Sequence, residues 1–353
     1  MSPRAINIDG IGEVYQDVWA DGQLIHPGVR SCEGRYEAIR EWLKQYERPF
    51  TVLDIGACLG YFCTRILEDF EHASAVAVES KPQYQRVLKE IGSAYDGYAM
   101  IPRRIGIDVL QKWSMCEHFD VILALSIVHH FPGSMLANIK ALQSLGRNLL
   151  LEIPVKGESA CNQGTINKEY DQVIKYLDTV GYRLTTTVSH TTTKVGRKEV
   201  YKRPLYWVPG TWTQITRSMI DKPRAKYKLP VRIDADYRKA DYESKGRELG
   251  VSYHEKRPLI HGFNLYNLLR LEYAMPSPEH MVSQIKTMKV IGQREDRDLR
   301  PWNMIWGRDG VTLIDERPNG LNEGWDAQLE RCIKGIREGV TDPWWFHGRK
   351  KPK

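Results

Sequence analysis

Residues 49–62 read PFTVLDIGACLGYF. An apolar run closes on an acid, Asp54, and glycines follow at Gly56 and Gly60. TVLDIG (51–56) has the length and apolar density of a buried strand, and YFCTRILEDF (61–70) has the spacing of a helix. The glycines fall in the joint between them. Glycine there lets backbone approach a ligand, because no Cβ stands in the way. The first amides of the following helix favour a carboxylate or phosphate. The stretch therefore predicts a strand–loop–helix unit with a ligand at its loop.

The same alternation continues outward. SAVAVES (74–80) predicts a second strand, and KPQYQRVLKEIG (81–92) a helix. MIPRRIGI (100–107) and DVILALSIVHHF (120–131) predict a third and a fourth strand, MLANIKALQSLG (135–146) a helix, and NLLLEIP (148–154) a fifth strand. NKEYDQVIKYLDTVGY (167–182) follows as a helix, and YRLTTTVS and EVYKRPLYWV as two further strands. Upstream, HPGVRSCEGRYEAIREWLKQY (26–46) gives a helix with Tyr36, Ile39, Trp42 and Leu43 on one face. Short strands alternating with helices predict a mostly parallel sheet covered on both faces. Ligands of such sheets bind past the carboxyl ends of the strands, at the switch point. Glu79 closes the second apolar run, AVAVE, where an acid can accept both hydroxyls of a ribose. The spacing of GACLG excludes the dinucleotide pattern G-x-G-x-x-G.

At 353 residues the chain exceeds one typical domain, so two are expected. A hydrophobic fraction of 42% supports a real core and excludes a disordered chain. The net charge of +7 includes an RKKPK tail. It fits an anionic substrate or nucleic acid, and equally a solvated surface. Cys32, Cys58, Cys63, Cys116, Cys161 and Cys332 form no CxxC pair, which predicts reduced thiols in a cytoplasmic protein. No segment has the length and apolarity of a membrane span, and MSPRAINIDG is not an apolar leader. The sequence is silent on oligomeric state.

Past residue 210 the alternation stops. NLYNLLRLEYA (264–274) and EHMVSQIKTMKVIG (279–292) predict helices. RDLRPWN (297–303) follows, and GRDG between the apolar runs NMIW and VTLIDE predicts a hairpin turn. DPWWFHG (342–348) is an aromatic cluster that either packs against the preceding helix or presents a sugar platform.

Residues 12–209 resemble the class I S-adenosylmethionine-dependent methyltransferases, through VLDIGACLGYF, AVAVES and ILALSIVHHF. The resemblance implies that the Gly56–Gly60 turn lies against the cofactor, together with Asp54, Tyr61 and Ser126. It implies that Glu79 holds the ribose hydroxyls and that Asp108 sits near the adenine. Arg30 is expected to pair with the carboxylate of the cofactor's methionine end. His129 or His130 is the expected base for a hydroxyl acceptor, whereas a phosphate acceptor would need cations and alignment alone. Ala57 and Cys58 depart from the family, many of whose members carry more glycine there.

RDLRPWN resembles the catalytic loop of protein-kinase-like phosphotransferases. By that resemblance Asp298 aligns or deprotonates an accepting hydroxyl. Asn303, and Asp315 twelve residues later, hold magnesium on the phosphates of ATP. The departures are Asp296 where histidine is usual, and Glu316-Arg317 where a Phe-Gly pair is usual. No glycine-rich loop is visible, and Lys198, Lys202 and Lys226 are the candidate strand lysines. The stretch after residue 209 is too short for a full N-terminal lobe, so the lobe is expected to be reduced.

The domain order, with GVRSCEGRYEAI, DIGACLGYF and DLRPWN, resembles bifunctional kinase–methyltransferases that terminate bacterial O-antigen polysaccharides. The resemblance implies a saccharide or phosphosaccharide acceptor, probed as a small molecule or a glycan. The expected architecture is α/β: a Rossmann-like methyltransferase domain with a mostly parallel seven-stranded sheet (1–209), then a mainly helical, reduced kinase-like domain (210–353). The competing expectations are a working Mg-ATP phosphotransferase beside the methyltransferase, an RNA methyltransferase using its aromatics for base stacking, and a binding protein that kept the pocket without the chemistry.

Overall fold

The computed structural model describes residues 6–114, 119–156, 158, 163–194, 197–211, 232–233, 237–243, 252–258, 262–290, 299–313 and 324–346. The chain divides into two units, one of residues 1–114 and 118–213, the other of 115–117 and 214–353.

The first unit opens with a hairpin, β1 (Val18–Ala20) and β2 (Gln23–His26), and a helix, α1 (Glu33–Leu43). Then come β3 (Phe50–Ile55), α2 (Tyr61–Asp69), β4 (Ala73–Val78), α3 (Pro82–Gly92), β5 (Tyr98–Ile101) and α4 (Ile107–Ser114). They are followed by β6 (Phe119–Leu125), α5 (Met135–Gln143), β7 (Gly146–Glu152), α6 (Gln163–Val180), β8 (Tyr182–Lys194) and β9 (Arg197–Pro209). The seven-stranded sheet runs β5-β4-β3-β6-β7-β9-β8. Its first five strands are parallel, and β9 is antiparallel to both β7 and β8. This is the Rossmann-like sheet of the class I methyltransferases. The order reverses at β3, so the loops after β3 and β6 flank the switch point where ligands bind.

Every residue of β3 and β4 is buried, because helices cover both faces. That is why these runs are continuously apolar rather than alternating. Each buried Val, Leu or Ile adds about 1.5–3 kcal/mol of transfer free energy. Two strands differ most from the expected bounds. The third is Tyr98–Ile101 and stops before Pro102, which has no N–H for the ladder. The fourth ends at Leu125, and Val128–His130 turn into a 3-10 helix, so both histidines stand past the strand rather than on it. Asp108 lies in the first turn of α4 and is exposed.

Residues 6–32 pack over this frame. Ile6, Ile11, Val14, Val18 and Ala20 join Leu59, Val87 and Ile91 in one core cluster. Arg65 of α2 holds the hairpin: its guanidinium lies 4.0 Å from the Trp19 ring and 4.2 Å from the Tyr36 ring. Its Nη1 also donates to Glu33 at 2.9 Å.

In the second unit, β10 (Arg232–Ile233), β11 (Tyr237–Glu243) and β12 (Ser252–Pro258) form an antiparallel sheet in a stretch whose sequence showed no pattern. β13 (Phe263–Asn264), α7 (Leu265–Arg270), α8 (Pro278–Lys286) and β14 (Lys289–Val290) follow, so the helix expected over 279–292 ends at Lys286 and Lys289–Val290 form a strand. β15 (Met304–Gly307) and β16 (Gly310–Leu313) make the expected hairpin, and α9 (Trp325–Arg337) and α10 (Pro343–Phe346) complete the unit. The second sheet runs β13-β15-β16-β14. Of the DPWWF aromatics, Trp345 is half-buried and Phe346 packs inward. Phe346 is buried and meets Trp302 edge-on at 6.1 Å, and a Cβ on Gly335 of α9 would come within 2.5 Å of its ring. Lys198 and Lys202 both lie on β9 of the first unit, so neither is a lysine of the second.

Candidate functional site

The loop after β3 is built around two left-handed glycines, Gly56 (φ 77°) and Gly60 (φ 82°), with Cys58 also left-handed (φ 54°). The Gly56 and Ala57 amides donate to Val78 O, which ties the loop to the end of β4. Glu79, one residue past β4, closes it. Its Oε2 accepts from the Cys58 amide at 2.9 Å, and its Oε1 from the amides of Ser80 (2.7 Å) and Lys81 (2.8 Å). Three backbone donors fix the carboxylate beside the glycine loop. A carboxylate oxygen has lone pairs for more than one donor, so Oε2, with one amide on it, retains capacity for a ribose hydroxyl.

Asp54 is buried at the end of β3, and the Cys63 thiol donates to it at 3.6 Å. Burial raises its pKa to about 7, against the Cys63 hydrogen bond and with help from Glu79. Tyr61 begins α2, but its hydroxyl donates to Glu33 at 2.6 Å and accepts from Arg65 at 2.8 Å. Its side chain thus belongs to the cluster around Arg65, not to the loop as expected.

Gln16 and Asp17 were invisible in the sequence. Gln16 Oε1 accepts from the Leu59 amide of the loop at 3.2 Å. Asp17 accepts from the Gly28 and Cys32 amides, each at 2.7 Å. A Cβ on Gly28 would come within 2.4 Å of the Gln16 carbonyl carbon. The N-terminal segment therefore seals one wall of the loop.

Arg30 is paired within the chain. It is 1% exposed, and its Nη2 donates to Glu152 at 2.7 Å, a carboxylate at the end of β7. Its Nη1 reaches Ser126 Oγ at 2.9 Å. The partner of Arg30 is thus a carboxylate of the chain itself. Arg35 (3.9 Å) and Arg203 (3.6 Å) also face Glu152. Burial alone would raise the Glu152 carboxyl, but Arg35, Arg30 and Arg203 outweigh it and hold the group below the usual carboxylate range. Ser126, left-handed at φ 61°, gathers the cluster: Arg30, Arg203 and Glu152 all bond its Oγ. Non-glycine residues keep such a conformation only where their surroundings over-determine it. Ile127, the next residue, packs directly on Gly56. The cluster thereby positions the wall opposite the glycine loop.

His129 is buried and His130 exposed, with ring centroids 4.1 Å apart. Burial, then His130 and Arg203, push the His129 pKa down to about 3. Burial, then Lys81, Arg203 and Arg104, lower that of His130. An imidazole with so acidic a conjugate acid is a weak general base near neutrality. The neutral ring also predicts a pH effect. The unfolded chain takes up a proton near pH 6.5 that folded His129 refuses, so its stability contribution is full above that pH and is lost as pH falls toward 3. Between pH 7 and 4.5 wild type should lose about 2 kcal/mol that His129→Gln keeps. Urea midpoints at the two pH values check this, and equal losses in both proteins would contradict it.

In the second unit Asn303 ends the 3-10 turn Pro301–Asn303, is buried, and leads into β15. Asp298 and Asp315 lie outside the described residues. Among the described residues no group of three His, Cys, Asp or Glu side chains has the arrangement of a metal site, and no helix is long and apolar enough to cross a membrane.

No protein-family model and no curated protein matches the chain. Among solved structures it is similar to the bifunctional kinase-methyltransferase WbdD, at 16% identity over 87% of this chain and 80% of that one, with a TM-score of 0.46. It is also similar to the N-terminal domain of EvdMO1 with SAH bound, at 14% identity over 57% and 94% of the two chains (TM-score 0.38). A third likeness is to magnesium protoporphyrin IX methyltransferase from Synechocystis PCC 6803 with bound SAM, at 18% identity over 50% and 79% (TM-score 0.34). The strand order and the glycine loop carry the fold assignment independently of these likenesses.

Proposed function

We propose that the chain is a SAM-dependent methyltransferase that methylates an anionic oxygen, that of a phosphosaccharide. The carrying observation is the Gly56–Gly60 loop with Glu79 fixed beside it by three amides. The residues fit the cofactor: left-handed glycines for close approach, a helix N-terminus, and an acid placed for a ribose. Bound S-adenosylmethionine supplies a methyl group already activated on sulfur.

The chain's own task is alignment and charge. Glu79 and the glycine loop orient the donor. Lys81, Arg104 and Arg203, the cations around His130, attract and orient an anion. A phosphate oxygen already carries the charge needed to accept a methyl group, so no residue would have to act as base, and the dianion would become a monoanionic ester. The low basicity of His129 favours this acceptor over a neutral sugar hydroxyl. The site would sit in the cytoplasm, where the cofactor and sugar phosphates are available, and the net charge alone gives no support to nucleic acid over a glycan.

For the second unit we propose a kinase-like lobe in which Asp298 would align or deprotonate an accepting hydroxyl and Asn303 and Asp315 would hold magnesium on ATP. The hairpin supports it: Asn303 directly precedes Met304, which pairs with Leu313, two residues before Asp315 in the sequence.

Calorimetric titration with S-adenosylhomocysteine tests the first reading. Micromolar binding that Glu79→Ala weakens at least 100-fold is expected, and a wild-type protein that binds none would sink it. Titration with Mg-ATP, repeated on Asp315→Ala, tests the second.

A further inference from the structure

Arg203 of β9 and Glu158, past the end of β7, form a two-pronged ion pair. Nε donates to both carboxylate oxygens, at 3.0 and 2.9 Å, and the two side chains are 2% and 0% exposed. The same guanidinium reaches Ser126 Oγ through Nη1 at 2.6 Å and acts electrostatically on both His129 and His130. Stability is a poor reason for such a pair, since apolar side chains of similar volume commonly do as well in a core. Its place is informative instead. It stands at the carboxyl-end side of the sheet and bonds Ser126, the residue before the Ile127 that walls the glycine loop.

Charge sharpens this. Arg30, Arg35 and Arg203 face two carboxylates, Glu152 and Glu158, so the cluster keeps one positive charge over. A phosphate presents two oxygens to a guanidinium fork in the same way a carboxylate does. Replacing the Glu158 carboxylate by a phosphate dianion would bring the cluster to neutrality, whereas a second monocarboxylate would leave the charge as it is. We propose that Arg203 binds the oxyanion of the acceptor, and that Glu158 is an internal stand-in for it, occupying the guanidinium until a phosphate monoester displaces it.

The inference rests on the methyltransferase reading and adds a selection rule to it. A neutral sugar cannot displace Glu158. A phosphate monoester can, by its second charge. Once methylated it has lost that charge, so Glu158 returns and the product leaves.

The test is titration of inorganic phosphate into full-length protein saturated with S-adenosylhomocysteine, for wild type, Glu158→Gln, Glu158→Asp and Arg203→Lys. Glu158→Gln removes the competing charge and should bind phosphate about tenfold more tightly. Arg203→Lys keeps the charge but loses the fork, and should bind about tenfold more weakly. Acetate should gain less than phosphate from Glu158→Gln. Glu158→Asp preserves the charge with a shorter reach and should fall between wild type and Glu158→Gln, which keeps the test decisive if the glutamine variant folds poorly. S-adenosylhomocysteine affinity should be the same in wild type and the two Glu158 variants. Phosphate binding unchanged or weakened in both Glu158 variants, with S-adenosylhomocysteine still bound, overturns the stand-in and makes Glu158 a structural partner of Arg203. Absence of S-adenosylhomocysteine binding in wild type overturns the underlying reading instead.

Discussion

Replacing Glu152 by leucine lowers the stability of the protein by about 3–5 kcal/mol, the cost of removing one partner from a buried ion cluster. Glu152 is fully buried and is the carboxylate that Arg30, Arg35 and Arg203 share, at 2.7, 3.9 and 3.6 Å. Without it those guanidiniums retain Glu158, on Arg203, as the remaining carboxylate of the cluster. Leucine nearly matches the glutamate in volume, so the loss is one of charge rather than of a cavity. Glutamine, which keeps shape and hydrogen-bonding reach, should lose less than leucine but still more than 1 kcal/mol. Urea unfolding followed by circular dichroism measures both, and a leucine variant within 1 kcal/mol of wild type would show that the arginines find other partners. The Ser126 turn should loosen at the same time, because Glu152 is one of three groups bonded to its Oγ.

Glu152 was not singled out in the sequence, although the reasoning applied to Glu79 reaches it. LLLE ends an apolar run on an acid as AVAVE does, and both acids stand at the carboxyl end of a parallel strand. Arg203 was not legible. It lies in a basic stretch beside Lys202, and only the fold shows that it turns inward to Ser126 while its neighbours along β9 serve other faces. The strands of the first unit were readable because burial on both faces makes their runs continuous, and errors came where a polar break, such as Pro102 or the turn after Leu125, interrupted them. Arg30 was placed in the right neighbourhood with the wrong partner, since long-range pairing to residue 152 leaves no local trace. Gln16 and Asp17 act through backbone amides, which any sequence supplies, so their side-chain roles have no motif. In the second unit the β15–β16 hairpin was readable from its turn, whereas β10 to β12 lie in a polar stretch without periodicity.

Gly56 carries the strongest steric demand of the cofactor loop. Its φ is 77°, and a Cβ there would lie 2.7 Å from Ile127 Cδ1 and 3.3 Å from Ile127 Cβ. Gly56→Ala therefore meets two separate obstacles. The left-handed conformation costs an alanine about 1–2 kcal/mol, and the contact forces Ile127 or the loop to shift. Because Glu79 and Ser126 hold the surroundings on both sides, the loop is expected to yield, and S-adenosylhomocysteine binding should fall at least 100-fold while the protein remains folded. Gly22, in the β1–β2 turn at φ 76° with nothing within 4 Å of its notional Cβ, isolates the conformational part. Gly22→Ala should show a similar backbone penalty in unfolding experiments and bind S-adenosylhomocysteine as wild type does. Adding Ile127→Ala to Gly56→Ala removes the steric obstacle alone, so the double variant should recover part of the binding, about tenfold. Calorimetry on the four proteins decides the matter: a Gly56→Ala protein that binds like wild type would mean the loop is not the cofactor's seat, and a double variant no better than the single one would place the defect in the backbone rather than in the contact with Ile127.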